Sequence, residues 1–211
     1  MEKVYVQYGC GLSAPIEWMN YDISPTLRLQ RLPLVGNLLR RMMETKFPLN
    51  VKYGNIVAGL PVQDDKCDGI YCSHTLEHLS LNDLRVALKN TYKILKPGGI
   101  FRCVLPDLQY AAKSYLINLE SGKGDSSIDF MLSTSLGEAS RQRGIKSLLS
   151  YLYGNSKHLW MWDYMSLSEE LRKIGFLDIR LCSFNDCEDE MFKLVENKER
   201  FNNALALECK K

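Results

Sequence analysis

The chain has 211 residues, with 27 basic and 25 acidic side chains, so its net charge of +2 argues against a nucleic-acid-binding protein with a clustered basic face. None of the seven cysteines forms a C-x-x-C pair, which leaves zinc and redox motifs without support and favours a reducing, cytoplasmic setting. The sequence shows neither a signal peptide nor an apolar run long enough for a membrane helix.

The first half of the chain alternates strand and helix patterns. Ser24-Pro25 predicts the start of a helix to about residue 32, and a second helix follows Pro33. Ser80 is the predicted N-cap of a helix over 81–95, which the glycines and proline of 97–99 end. Short apolar runs predict five strands, over residues 4–8, 18–23, 51–57, 69–73 and 100–105.

The second half adds helical pieces and two more strands. Residues 108–157 form a predicted helical cap insertion within a single domain, 1–211. Ser166 and Glu169 form an expected capping box for a helix that ends at Gly175. Strands over 176–182 and 205–209 supply an antiparallel edge to a mostly parallel, seven-stranded α/β sheet with helices on both faces.

Two glycines and an aspartate follow the first two strands. Gly9 and Gly11 end the first strand, and Asp22 ends the second. Ligands of open parallel sheets bind outside the carboxyl ends of the strands, where glycines admit backbone N–H groups and a carboxylate can hold a ribose diol. A G-x-G pair alone also fits a plain structural turn, and without a third glycine it is not a dinucleotide fingerprint.

Four motifs in order carry a family resemblance: VQYGCG, WMNYDIS, GLPVQDDKCDGIYCSHTLEHL and LKPGGIFRCVLPDL. They resemble class I S-adenosylmethionine-dependent methyltransferases, and most of all the small-molecule and glycan branch. The resemblance spans about residues 4–108 and resumes at HLWMWDYMSLSEELRKIGF. It implies a Rossmann-like three-layer sandwich, S-adenosylmethionine as cofactor and S-adenosylhomocysteine as product.

The resemblance also implies a cofactor site, with Asp22 on the ribose hydroxyls. Gln7 stands where many members have an acid, and Asn55 stands where an aspartate is common; both can still accept a hydrogen bond. The remaining implied contacts are Gly9, Cys10 and Gly11 along the methionine part, Ile23 and the 55–60 segment with Ile56 and Leu60 around the adenine, and Ser73 and His74 beside the sulfonium.

Three groups are candidates for a catalytic base: His74, Asp107 and His158. The alternative for His74 is capping and packing at the strand end, and the alternative for His158 is core packing of the last helix. His78 fits a structural hydrogen bond near the start of a helix. The run from His74 to His78, with Glu77, has H-x-x-E-H spacing, but it straddles a turn and offers no further ligand, so we predict no metal.

Five aromatic residues and one methionine of the insertion are expected to roof the acceptor site or to form a homodimer face: Tyr110, Tyr115, Phe130, Met131, Tyr151 and Tyr153. The expected acceptor is a small molecule or glycan, methylated on a sugar hydroxyl. The alternatives are N-methylation of a small amine or protein side chain, and a non-catalytic cofactor-binding scaffold or regulatory subunit.

Overall fold

The computed structural model describes residues 3–140 and 157–211, and within these residues seven strands form one sheet. The spatial order is β3-β2-β1-β4-β5-β7-β6. All neighbouring strands pair in parallel except β7, which is antiparallel to both β5 and β6. The strands are β1 (Tyr5–Tyr8), β2 (Met19–Asp22), β3 (Val51–Tyr53), β4 (Cys67–Ser73), β5 (Leu95–Pro106), β6 (Leu177–Leu181) and β7 (Ala204–Lys210).

Helices connect these strands in the order that the sequence pattern predicts. Short 3₁₀ helices lie at Leu76–His78, Glu190–Leu194 and Lys198–Phe201. The α-helices of the described residues are α1 (Pro25–Gln30), α2 (Gly36–Met42), α3 (Leu81–Ile94), α4 (Leu108–Glu120), α5 (Ser126–Ser133) and α6 (Tyr164–Ile174).

The larger core lies between one face of the sheet and helices α3 and α6. Helix α3 presents Leu84 and Leu88 to this face, and α6 presents Leu167 and Leu171. On the opposite face, Tyr5, Trp18 and Tyr71 pack with Phe192 of a 3₁₀ helix, while Leu27 of α1 packs on Val51. The two covered faces confirm the predicted Rossmann-like three-layer sandwich.

A buried arginine joins the antiparallel edge to the rest of the sheet. Arg102 of β5 faces Glu208 of β7 in register, with Nη1 3.1 Å from the carboxylate, and Nε donates to Glu196. Its other donors reach the carbonyl oxygens of Asp186 and Ser183 at 2.7 and 2.8 Å. This one side chain therefore holds the segment between β6 and β7 against the sheet.

The structure moves some element boundaries. Helix α6 begins at Tyr164, because Asp163 is the N-cap: its Oδ1 accepts from Ser166 N at 2.8 Å, and Ser166 completes the capping box from the N3 position. The capping box predicted at Ser166 and Glu169 is therefore wrong. Gly175 ends the helix as predicted, in the left-handed conformation at φ +114°. The third strand ends at Tyr53, earlier than residue 57.

Arg102→Met should destabilise the fold by about 3–5 kcal/mol, because the buried carboxylate of Glu196 would lose its compensating charge and that of Glu208 one of its two arginine partners. Arg180→Met is the matched control: Arg180 also binds Glu208, but its side chain is 39% exposed, so its loss should cost about 1 kcal/mol or less. Urea unfolding at neutral pH measures both. Equal losses in the two variants would contradict the role given to the buried arginine.

Candidate functional site

The turn after β1 depends on its two glycines. Gly9 and Gly11 lie in the left-handed region at φ +64° and +55°. A Cβ at Gly9 would lie 2.0 Å from Thr75 Oγ1, whereas a Cβ at Gly11 would have no heavy atom within 4 Å. Gly9 therefore allows close packing against the segment that follows β4, and Gly11 leaves open space above the turn.

Asp22 lies directly beside this turn. Its Oδ2 accepts a hydrogen bond from Gly11 N at 2.8 Å, and its Oδ1 accepts from Ser24 N at 2.7 Å. Cys10 N donates to Tyr21 O at 3.1 Å, which closes the same junction from the backbone side. The glycine turn and the carboxylate, eleven residues apart in sequence, are thus in direct contact, as the sequence analysis predicts.

Gln7 supports the turn from beneath. It is buried in β1, and its Nε2 donates to Ser13 O at 2.8 Å and to Asn20 Oδ1. Asn20 in turn donates to the carbonyl oxygens of Pro15 and Trp18 at 2.9 and 2.8 Å. The two amides connect β1 and β2 to the loop between them, so Gln7 serves here as a donor.

The residues assigned to the adenine differ in exposure. Ile23 is 39% exposed and available for contact. Asn55 Oδ1 accepts from Val57 N at 2.9 Å, which orders the loop after β3. Ile56 and Leu60 are buried in the larger core, so little of their side-chain surface is accessible to an adenine.

The carboxyl end of β4 carries Ser73 and His74. His74 has φ +50°, its N donates to Val104 O at 2.8 Å, and its Nδ1 lies 3.2 Å from Ser73 Oγ. Burial, followed by the charges of Arg200, His158 and His78, lowers the pKa of His74 to about 4. His74 is therefore neutral at physiological pH.

His158 lies beside His78. The two imidazole rings are 5.1 Å apart, and Leu159 N donates to Glu77 O at 2.7 Å. Burial is the first cause, and His78 the second, of a lowered pKa at His158. The structure thus groups His158 with Glu77 and His78.

Asp107 begins α4 and borders a cavity. Its Oδ1 accepts from Gln109 N at 2.8 Å, the bond of a helix N-cap. The cavity, of about 470 Å³, lies between α4 and α5. Among the described residues, no hydrogen bond joins Asp107 to His74 or His158. The cavity lining includes Asp107, Tyr110, Tyr115, Asn118, Asp129, Phe130 and Asn203. Tyr151 and Tyr153 lie outside the described residues.

Sequence reasoning missed three residues at this edge of the sheet. Thr75 packs against Gly9, Asn20 binds Gln7, and Arg200 contributes charge to both His74 and Glu77. Asn20 lies within the second motif and could have been assigned by its neighbours. Arg200 has no local signal, since it reaches the site only through the fold.

Residues 6–103 match the family described as a methyltransferase domain. This match confirms the enzyme class and the cofactor that the motifs predict: a methyltransferase that uses S-adenosylmethionine. No curated protein sequence matches the chain.

Solved structures of other methyltransferases share the fold. A SAM-dependent methyltransferase from Archaeoglobus fulgidus is 18% identical with a TM-score of 0.51; the match covers 99% of this methyltransferase and 86% of that chain. A possible histamine N-methyltransferase from Thermotoga maritima is 18% identical with a TM-score of 0.52, and the match covers 100% of this chain and 83% of that chain. Phosphoethanolamine N-methyltransferase 2 of Haemonchus contortus, solved with S-adenosyl-L-methionine, is 11% identical with a TM-score of 0.50, and the match covers 100% of this chain and 49% of that chain. At these identities the likeness concerns the fold.

None of the helices in the described residues has both the length and the apolar character to cross a membrane.

Gly9→Ala and Gly11→Ala form a matched pair. Both variants place an L side chain at positive φ, at a cost of about 1–2 kcal/mol. Gly9→Ala also forces a clash with Thr75, which adds about 1–3 kcal/mol. Denaturant unfolding of the two variants measures the difference. If Gly9→Ala is no less stable than Gly11→Ala, the turn is not packed against Thr75.

Proposed function

We propose that this methyltransferase transfers the methyl group to a hydroxyl of a sugar or glycan held beside α4. The observation that carries the acceptor class is the cavity next to Asp107, which combines aromatic rings with amide and hydroxyl groups. Tyr115 and Phe130 have ring centroids 5.6 Å apart there, and Asn118 and Asn203 add hydrogen-bonding groups. Such a mixture suits a neutral polyol.

The two carboxylates of the cavity differ in how they are paired. Asp129 is paired with Lys123, so its charge is compensated locally. Asp107 Oδ1 accepts one backbone N–H at the start of α4, which leaves further lone pairs for an acceptor hydroxyl or amine. The proposal of a hydroxyl acceptor therefore rests on the aromatic and amide lining of the cavity, and N-methylation stays the alternative.

The residues of the turn fit the proposed cofactor contacts. Each oxygen of Asp22 accepts one backbone N–H and has a further lone pair, so a ribose diol can be held without breaking the junction. The open space at Gly11 leaves room for the methionine part along Gly9, Cys10 and Gly11. Exposed Ile23 offers an apolar contact to the adenine, next to the loop that Asn55 orders.

Bound S-adenosylmethionine supplies an electrophilic methyl group on a sulfonium. The acceptor oxygen bonds to this carbon as the sulfur–carbon bond breaks, the electron pair stays on sulfur, and the hydroxyl proton leaves to a base. Ser73 and His74 would flank the reacting atoms at the end of β4. Because His74 is neutral, it can accept the hydrogen bond of a hydroxyl, and positioning provides much of the rate.

The cellular setting we propose is the cytoplasm. All seven cysteines are free thiols, and five are buried within the fold. A reducing compartment keeps such thiols unpaired. The homodimer expected from the sequence stays a prediction.

Asp22→Ala should weaken S-adenosylmethionine binding about 10–100-fold, because hydrogen bonds to a charged group contribute about 1.5–3 kcal/mol. Isothermal titration with S-adenosylmethionine and S-adenosylhomocysteine measures this. Asp64→Ala is the control. Asp64 precedes the amino end of β4, whereas the proposed site lies at the carboxyl ends of the strands, so this change should leave binding unaltered. Unchanged affinity in a folded Asp22→Ala variant would remove the ribose role.

Formation of S-adenosylhomocysteine should appear with hydroxylated sugar acceptors and stay at background with amines of matched size. Tyr115→Ala should raise KM for the sugar several-fold while leaving cofactor affinity intact, because Tyr115 lines only the cavity. Product mass spectrometry identifies the methylated atom. Turnover of the amines alone would replace O-methylation with N-methylation.

A further inference from the structure

A fully buried carboxylate lies at the start of the link after β4. Glu77 has 0% exposure, and neither of its side-chain oxygens has a hydrogen-bond partner among the described residues. A carboxylate without partners is costly to bury, so this position calls for a ligand or for a proton.

Two imidazoles stand next to this carboxylate. His78 Nε2 is 3.9 Å from Glu77 Oε1, and one ring nitrogen of His158 completes a group of three atoms that all lie within 4.8 Å of one another. His158 Nδ1 is itself buried without a partner. Each of the three side chains thus offers one ligand atom within this distance of the other two.

The second nitrogen of His78 is already oriented. His78 Nδ1 lies 2.8 Å from Lys157 O, so the ring donates its N–H to that carbonyl and leaves the lone pair of Nε2 on the side of Glu77. Imidazoles that bind metals almost always donate their other N–H in this way, which fixes the tautomer and the ring plane.

Backbone bonds hold the third residue in place. Leu159 N and Trp160 N both donate to Glu77 O, at 2.7 and 3.2 Å. The segment that begins at Lys157 therefore supplies the carbonyl that orients His78, carries His158, and is itself bonded to the backbone of Glu77. The cluster is preorganised from two stretches of chain about eighty residues apart.

We propose that Glu77, His78 and His158 bind one divalent transition metal ion such as zinc. Ligand atoms lie about 2.0–2.2 Å from zinc, so two ligands of one ion are about 4.4 Å apart at most, and small side-chain movements bring this cluster into range. Two imidazoles and one carboxylate are a donor set that zinc accepts with a coordination position left open. The sequence offered no further ligand for the H-x-x-E-H run; the fold supplies His158.

The position of the cluster suggests its use. His74 follows the last residue of β4, and the 3₁₀ helix Leu76–His78, which carries two of the three ligands, begins two residues later. The ion would stand next to the residues proposed to flank the methyl group, with its open position available to an acceptor oxygen. A metal ion lowers the pKa of a bound oxygen and fixes its position. This role rests on the proposed function; metal binding itself does not.

Cobalt titration tests the site without any acceptor. The full chain is treated with a chelator, desalted and titrated with Co²⁺, then with Zn²⁺ as competitor. We expect one equivalent of Co²⁺ with a visible d–d absorption band, displacement by Zn²⁺, and a raised melting temperature with either ion. Glu77→Gln and His158→Asn should each lose the band and the shift, while circular dichroism confirms that they are folded.

His74→Asn is the discriminating control, because it removes the other histidine of the H-x-x-E-H run and should keep the cobalt band. Absence of binding by folded wild type, or binding that survives His158→Asn, would overturn the proposal and leave Glu77 a buried, protonated acid. Loss of the band in His74→Asn would overturn the ligand set. S-adenosylhomocysteine titration of the metal-free wild type separates the two proposals, since the contacts assigned to the cofactor need no metal.

Discussion

The hydrogen bonds of the Asp22 carboxylate are the interaction on which the turn after β1 depends. The carboxylate is shared between the backbone N–H groups of Gly11 and Ser24, so it fixes the turn after β1 and the start of α1 at once. The turn could not reach it without positive φ at Gly9 and Gly11, and Gly9 could not lie against Thr75 with a side chain. One charged group thus connects the carboxyl ends of β1, β2 and β4.

The side-chain amide of Gln7 fits the hydrogen bonds at the turn after β1, and a carboxylate at this position would not. Its nitrogen faces two acceptors, Ser13 O and Asn20 Oδ1. A carboxylate in the same rotamer would place negative charge against both oxygens, unless Asn20 turned its amide and gave up its bonds to Pro15 and Trp18. Gln7 and Asn20 therefore form a matched pair of amides. The glutamine at position 7, where many family members have an acid, is explained by its hydrogen bonds to the loop between β1 and β2.

Local patterns predict the sheet, the main helices and the Asp22 junction, because each rests on residues close in sequence or on strands that are neighbours in a parallel sheet. The predicted start of α6 is wrong by three residues, since Asp163 and Ser166 are both good capping residues and only the backbone geometry decides between them. Arg102 is embedded in an apolar strand, and its carboxylate partners come from residues about one hundred positions later. The grouping of His158 with Glu77 cannot be predicted from local sequence patterns for the same reason, because it depends on where the chain returns to the sheet after the insertion.

The return segment has a consequence for how the insertion can change. Leu108 N donates to Trp162 O at 2.9 Å, and Leu159 N donates to Glu77 O. These backbone hydrogen bonds hold the two ends of the insertion at fixed positions next to the sheet. For a loop whose ends are already joined, doubling its length adds only about 0.6 kcal/mol of closure entropy. Changes in length between the two ends therefore cost little closure entropy, so the insertion can lengthen or shorten while the turn after β1 keeps its geometry.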